Sequence, residues 1–195
     1  MLAQEVVDGL YALEMQDEKD VLNRVPDEAR LNIIDPDVGK YLYLQALTLK
    51  AKNIVEIGTG GGYATLWLGV AAQLNGGKVS SYEVSATKAE AAQANIAKAG
   101  LSDYVDIINA DARDALRGET SPVDFAFIDA DSDQYETYFD VLYKRLQPGT
   151  LLISDRILSD ESALEDFVSY MQNHPNLDSV TIPMANGLEY TVKIE

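Results

Sequence analysis

Cysteine is absent from this 195-residue chain, and histidine occurs once. The first absence excludes disulfides, thiolate nucleophiles and cysteine-ligated zinc. The second leaves little room for imidazole catalysis. His174 lies in Gln172-Asn173-His174-Pro175 and reads as a surface residue at a helix end before a proline. Basic residues are scarce: 15 Lys and Arg stand against 32 acids, a formal charge of −17. Nucleic-acid binding draws most of its affinity from Lys and Arg contacts to phosphates, so this balance argues against a polyanionic partner. It is the charge of a well-solvated acidic surface. No apolar run approaches the roughly 18–20 residues needed to span a bilayer, and no membrane association is expected. Met1-Leu2-Ala3-Gln4-Glu5 carries acid early and lacks a basic-then-apolar leader pattern, so a cytoplasmic protein is expected. A hydrophobic fraction of 47% over this length suits one well-cored domain, residues 1–195.

What is present is a βα rhythm. Residues 1 to 50 read as helical. Asp35-Pro36-Asp37 forms a helix start, with a capping acid, proline at the first helical position and a second acid near the positive end of the dipole. From residue 53, short apolar runs alternate with helical stretches. Strands are expected at Ile54–Ile57, Val79–Glu83, Val105–Ile108, Phe125–Ile128 and Leu151–Ser154. Helices are expected at Tyr63–Leu74, Ser85–Ala99, Ala112–Leu116, Asp133–Leu146 and Ser162–Met171, and Pro148-Gly149 reads as the last turn. Period-two alternation at Val180, Ile182 and Met184, then at Leu188, Tyr190, Val192 and Ile194, flanks the turn signal Asn186-Gly187. The fold class is therefore α/β: a mostly parallel sheet covered by helices and closed by an antiparallel hairpin.

Chemistry in such sheets gathers beyond the carboxyl ends of the strands. The first strand ends in Glu56-Ile57-Gly58-Thr59-Gly60-Gly61-Gly62-Tyr63, a turn whose glycines let backbone approach a ligand closely. It is not the dinucleotide fingerprint G-x-G-x-x-G/A, whose last small residue would fall at Tyr63. Glu56 would repel a pyrophosphate and suits a ligand with positive charge. Every later strand also ends in an acid: Glu83, Asp111, Asp129-Ala130-Asp131 and Asp155-Arg156. Each acid singly also fits a helix cap; together they suit a cationic or hydroxyl-rich ligand. Glu83 is placed to accept both hydroxyls of a ribose lying across the glycine turn. The combination points to S-adenosylmethionine, whose sulfonium and amino group are positive.

These motifs, in order, resemble the S-adenosylmethionine-dependent O-methyltransferases of the catechol and caffeoyl-CoA type, in particular their small bacterial members. The likeness runs from about Ile34 to the C-terminus through Val55–Leu66, Tyr82-Glu83-Val84, Asn109–Ala112, Phe127–Asp131 with Tyr135, Leu151–Arg156 and Gly187-Leu188. It implies a Rossmann-like class I methyltransferase fold with a seven-stranded sheet, a helical segment over 1–50 and a cofactor-binding core over 51–195. It also implies a homodimer and transfer of a methyl group to a hydroxyl of a small, aromatic acceptor. Glu56, Gly58 and Gly60 would lie against the methionine end of the cofactor, and Ile34, Gly62 and Tyr63 would also bind it. Glu83 would hold the ribose, Val84, Asp111 and Ala112 would frame the adenine, and Asp129 and Asp131 would complete the site. Typical members also hold a divalent metal, on Asp129 and Asp155.

Three departures bear on catalysis. An asparagine usual after the second metal-binding aspartate is Arg156, a lysine used as base in several members is Ser132, and a serine frequent in the glycine loop is Ala64. The segment Arg156–Ser162 is also shorter than the usual substrate-covering loop. A guanidinium at Arg156 can pair with either aspartate, which favours a site without Mg²⁺ in which Asp129, Asp155 and Arg156 do the work. Two alternatives remain open: methylation of a hydroxylated nucleobase in tRNA, and cofactor binding with reduced or no catalysis.

Overall fold

The computed structural model describes residues 2–26, 29–159 and 161–195. Two helices come first, α1 (Gln4–Leu22) and α2 (Pro36–Thr48). The sequence signal at the second is realised: Asp35 caps α2 by accepting the Asp37 N–H at 2.8 Å, and Pro36 occupies the first turn. The alternating part follows as β1 (Asn53–Ile57), α3 (Tyr63–Asn75), β2 (Lys78–Glu83), α4 (Ala86–Lys98), β3 (Val105–Asn109), α5 (Ala112–Ala115), β4 (Val123–Ile128), α6 (Tyr135–Tyr143), β5 (Leu146–Ser154), α7 (Glu161–Asn173), β6 (Leu177–Ile182) and β7 (Leu188–Lys193).

These strands form one seven-stranded sheet in the order β3-β2-β1-β4-β5-β7-β6. The first five are parallel, and β7 inserts antiparallel between β5 and β6. Chain order reverses between β1 and β4, so the carboxyl ends of those two strands open the crevice where ligands bind in doubly wound sheets. Helices α1 to α4 cover one face, burying Leu42, Leu66, Leu68 and Ile96 against Ile54, Phe125 and Phe127. On the other face α5 to α7 bury Leu116, Phe139 and Met171 against Val55, Ala126 and Ile128. Strand residues alternate between these two cores, as a period of two requires.

Two expectations are corrected in detail. Pro148-Gly149 is a bulge inside β5 rather than a turn before it. The β4–β5 register shifts between Val123 and Phe125, and Thr150 Oγ1 donates to the Val123 carbonyl at 2.7 Å while accepting the Gln147 N–H at 2.9 Å. The extra residues of the bulge stay exposed, so proline's missing N–H costs the ladder little. His174 follows the end of α7 as expected but is half-buried rather than free on the surface: it packs edge-on among Phe139, Tyr143 and Tyr170 at centroid distances of 5.0–6.1 Å. Its ring fills an aromatic cluster remote from the carboxyl ends of β1 and β4.

Candidate active site

A cavity of about 440 Å³ opens at the switch point. Its floor is the glycine turn. Gly58 donates to the Tyr82 carbonyl at 3.0 Å and Gly61 to the Leu31 carbonyl at 2.9 Å, so the turn is tied to β2 and to the segment before α2. Gly58 (φ +95°) stands against the carbonyl of Asp129, where a Cβ would come within 2.6 Å of the carbonyl carbon. Gly60 (φ +53°) stands against the carbonyl of Leu31, where a Cβ would lie 2.5 Å from the oxygen. Glycine is therefore needed here both for backbone conformation and for space.

Glu83 closes one side. Its Oε2 accepts the Gly60 N–H and its Oε1 the Ser85 N–H, both at 2.9 Å. Asn109 Nδ2 donates to the Glu83 and Val84 carbonyls at 2.8 and 3.2 Å, pinning the end of β2. The carboxylate is thus fixed in the cavity wall by backbone donors, with lone pairs left over that can accept from a ligand.

On the opposite side Asp129, Asp155 and Arg156 meet. The peptide N–H groups of Asp129 and Asp155 continue the ladder onto Ile57 and Ile128, each at 2.9 Å. Arg156 Nε lies 2.6 Å from Asp129 Oδ1, in an ionic contact without hydrogen-bond alignment. Arg156 Nη2 donates to the Ala130 carbonyl at 2.7 Å, and its backbone N–H to Asp155 Oδ1 at 2.6 Å. Burial raises the pKa of Asp129, opposed by the Arg156 charge. Burial first, then the charge of Asp129, pushes Asp155 up to about 7. Beneath them Tyr135, fully buried, donates to the Asp155 carbonyl at 3.2 Å.

The residues present do not fit the divalent metal that the resemblance implies. Of the two aspartates expected to ligate, one is paired with a guanidinium and the other accepts an N–H. They do fit an adenosyl cofactor with positive charge: a glycine cradle, a fixed carboxylate at Glu83 and an acid-rich wall.

Of the residues singled out from sequence, Ile34, Gly58, Gly60, Tyr63, Glu83 and Val84 line the cavity, as do Ala112, Asp129, Asp131, Asp155 and Arg156. Three do not. Asp111 caps α5, and its carboxylate is held by the Arg113 backbone N–H at 2.9 Å and by the Arg113 guanidinium. Gly62 is the left-handed cap of α3 and faces Ala92. Glu56 is wholly buried on the α3 face of the sheet. Its Oε2 accepts from Thr65 and Ser81, each at 2.5 Å, and Ser81 also contacts Thr59 at 2.5 Å. Oε1 has no partner. Glu56 therefore supports the glycine turn from behind, through Thr59, and ties it to β2 and α3. Asn32 and Asn186 line the cavity as well; both come from loops, and only the turn signal at Asn186-Gly187 hinted at either.

The buried Glu56 carboxyl has its pKa raised to about 8, chiefly by desolvation, against the lowering effect of the Ser81 and Thr65 hydroxyls. A raised carboxyl holds its proton in the native state after the unfolded chain has released it. Its stabilising contribution is complete below the unfolded value, near 4.5, and is lost as pH rises through about 8. Native stability is expected to fall over this window with a slope approaching ~1.4 kcal/mol per pH unit. In denaturant melts Glu56→Gln, which cannot ionise, should flatten the slope between about pH 5 and 8; an unchanged slope would contradict the assignment.

Fold and cavity together define the class I methyltransferase architecture. The family model described as O-methyltransferase matches residues 15–189, and the chain belongs to that family. It is similar to the catechol O-methyltransferase of Niastella koreensis, 37% identical over 137 residues, which are 68% of this chain and 62% of that protein. The matched region is thus less than two thirds of that relative's length. The catechol O-methyltransferase of Mycobacterium tuberculosis is 31% identical over 74% of this chain and 70% of its own. The structure of the O-methyltransferase from Bacillus cereus in complex with SAH superposes with a TM-score of 0.78 at 28% identity, covering 93% of this chain and 90% of that one.

Proposed function

We propose that the protein moves the methyl group of S-adenosylmethionine to a hydroxyl oxygen of a small aromatic acceptor, without a divalent metal. The observation that carries this reading is one cavity holding the glycine turn, the fixed Glu83 carboxylate and, opposite them, the Asp129–Arg156 ion pair. The catechol O-methyltransferases among its relatives support a hydroxyl oxygen as acceptor. No described helix is long and apolar enough to cross a membrane; the acidic, cysteine-free composition supports a cytoplasmic setting. A homodimer fits the exposed stripe Val7, Tyr11 and Met15, spaced by one helical turn on α1.

When bound, the cofactor supplies an electrophilic methyl carbon on a positively charged sulfur. Glu83 accepts the ribose hydroxyls, while the glycine turn lets backbone close on the methionine end. Asp129 and its acidic neighbours attract the cofactor's amino group. Arg156 stabilises negative charge on the attacking oxygen, in a cavity where such charge is screened less than in water. The cavity walls would hold the acceptor oxygen in line with the methyl carbon and sulfur of the bound cofactor.

Calorimetric titration with SAH and with NAD tests the cofactor. SAH should bind one per chain; binding of NAD alone would sink the reading. Glu83→Gln should weaken SAH about 10–100-fold, the loss expected when a charged hydrogen-bond acceptor is neutralised. An effect below about twofold would remove Glu83 from the ribose.

A further inference from the structure

The acceptor's own chemistry can be narrowed, on the basis of the reading above. We propose that the acceptor is a small acid whose hydroxyl stands beside a carboxylate, and that Arg156 selects it by binding that carboxylate.

Three features of the cavity lead there. The first is the rigidity of the guanidinium. Arg156 takes a left-handed backbone conformation, φ +62°, and its side chain is tied to Asp129 and to the Ala130 carbonyl. The chain just after it is fastened too: Ile157 and Leu158 donate to the Gly187 and Asn186 carbonyls at 3.1 and 2.8 Å. Of those two side-chain contacts only that to the Ala130 carbonyl is an aligned hydrogen bond, using one of the five N–H donors of a guanidinium. The side chain remains 42% exposed and lines the cavity. A planar fork held this way matches a carboxylate in shape and charge, and a neutral diol in neither.

The second feature is that Arg156 is the cation on this side of the cavity: the lysine that lines it, Lys88, lies in the first turn of α4 on the Glu83 side. As the hydroxyl oxygen bonds to the methyl carbon, the carbon–sulfur electron pair stays on sulfur, leaving a neutral thioether, and the hydroxyl proton leaves to solvent.

The third is the surrounding polarity. Asn186, next to the Arg156 segment, and Asn32 line the same cavity, and carboxamides suit an acceptor with several oxygens.

Salicylate and catechol make a matched pair of probes, since they differ only in a carboxylate or a hydroxyl beside the reacting oxygen. Both are titrated calorimetrically into SAH-loaded protein in EDTA. Salicylate should bind at least about 10-fold more tightly than catechol. Arg156→Gln should lower salicylate affinity about 10–100-fold and Arg156→Lys less. Catechol binding as tightly as salicylate, or salicylate binding unaltered in either variant, would overturn the proposal. Should Arg156→Gln not fold, the wild-type pair of titrations and the lysine variant still decide. Failure of wild-type protein to bind SAH would instead overturn the cofactor assignment, and this inference with it.

Discussion

Arg156→Asn is expected to slow methyl transfer by about 10²-fold or more while SAH affinity stays within about threefold. Arg156 sits at φ +62°, a region that costs most L-residues about 1–2 kcal/mol and that asparagine tolerates better. Against this relief stands the ion pair to Asp129, whose partner Arg156 is 42% exposed and so partly screened. The two effects oppose, and the melting temperature should move by no more than about 4 °C. What the variant lacks is the positive charge beside the attacking oxygen. Because the substitution leaves Asp129 without its ionic partner, added Mg²⁺ should recover part of the lost rate. A full rate in the variant without Mg²⁺ would show that the guanidinium does not act on the reaction.

Gly58→Ala should abolish measurable SAH binding and destabilise the fold by about 3 kcal/mol or more. At φ +95° an alanine is strained, and its Cβ would press on the carbonyl of Asp129, the residue that joins β4 to the site. Relief requires β1 and β4 to part at their carboxyl ends, where the cavity lies. Gly76→Ala separates the two contributions. Gly76 also has a positive φ, +67°, but open space where a Cβ would go, so only the conformational cost of about 1 kcal/mol should appear. Thermal melts and calorimetry on both variants check this. Equal losses at the two positions would mean that the close approach to Asp129 carries no weight.

The sheet could be read from the chain because each of its first five strands is an apolar run ending in an acid, and helices among them begin with caps such as Asp35 or Ser85. The site was legible to the extent that it follows from strand ends. Glu83, Asp129, Asp155 and Arg156 do converge, because parallel strands place their carboxyl ends side by side. Which face a strand-end acid occupies was not legible. Glu56 precedes the strand's last residue, so its side chain falls on the α3 face, where Thr65 and Ser81 receive it. Asp111 is drawn off by Arg113 two residues on, a local pairing that competes with any ligand. Asn32 and Asn186 escape a reading by strand ends because loops carry them to the cavity. The bulge at Pro148-Gly149 imitates a turn in sequence, since both call for residues free of ladder bonds.

The most direct test of the central claim is single-turnover methyl transfer from S-adenosylmethionine by chelator-treated protein, followed with salicylate as acceptor in EDTA and again in excess Mg²⁺. The account predicts the same rate in both, because Arg156 already supplies the positive charge at Asp129. A rate abolished by EDTA and restored by Mg²⁺ would contradict it.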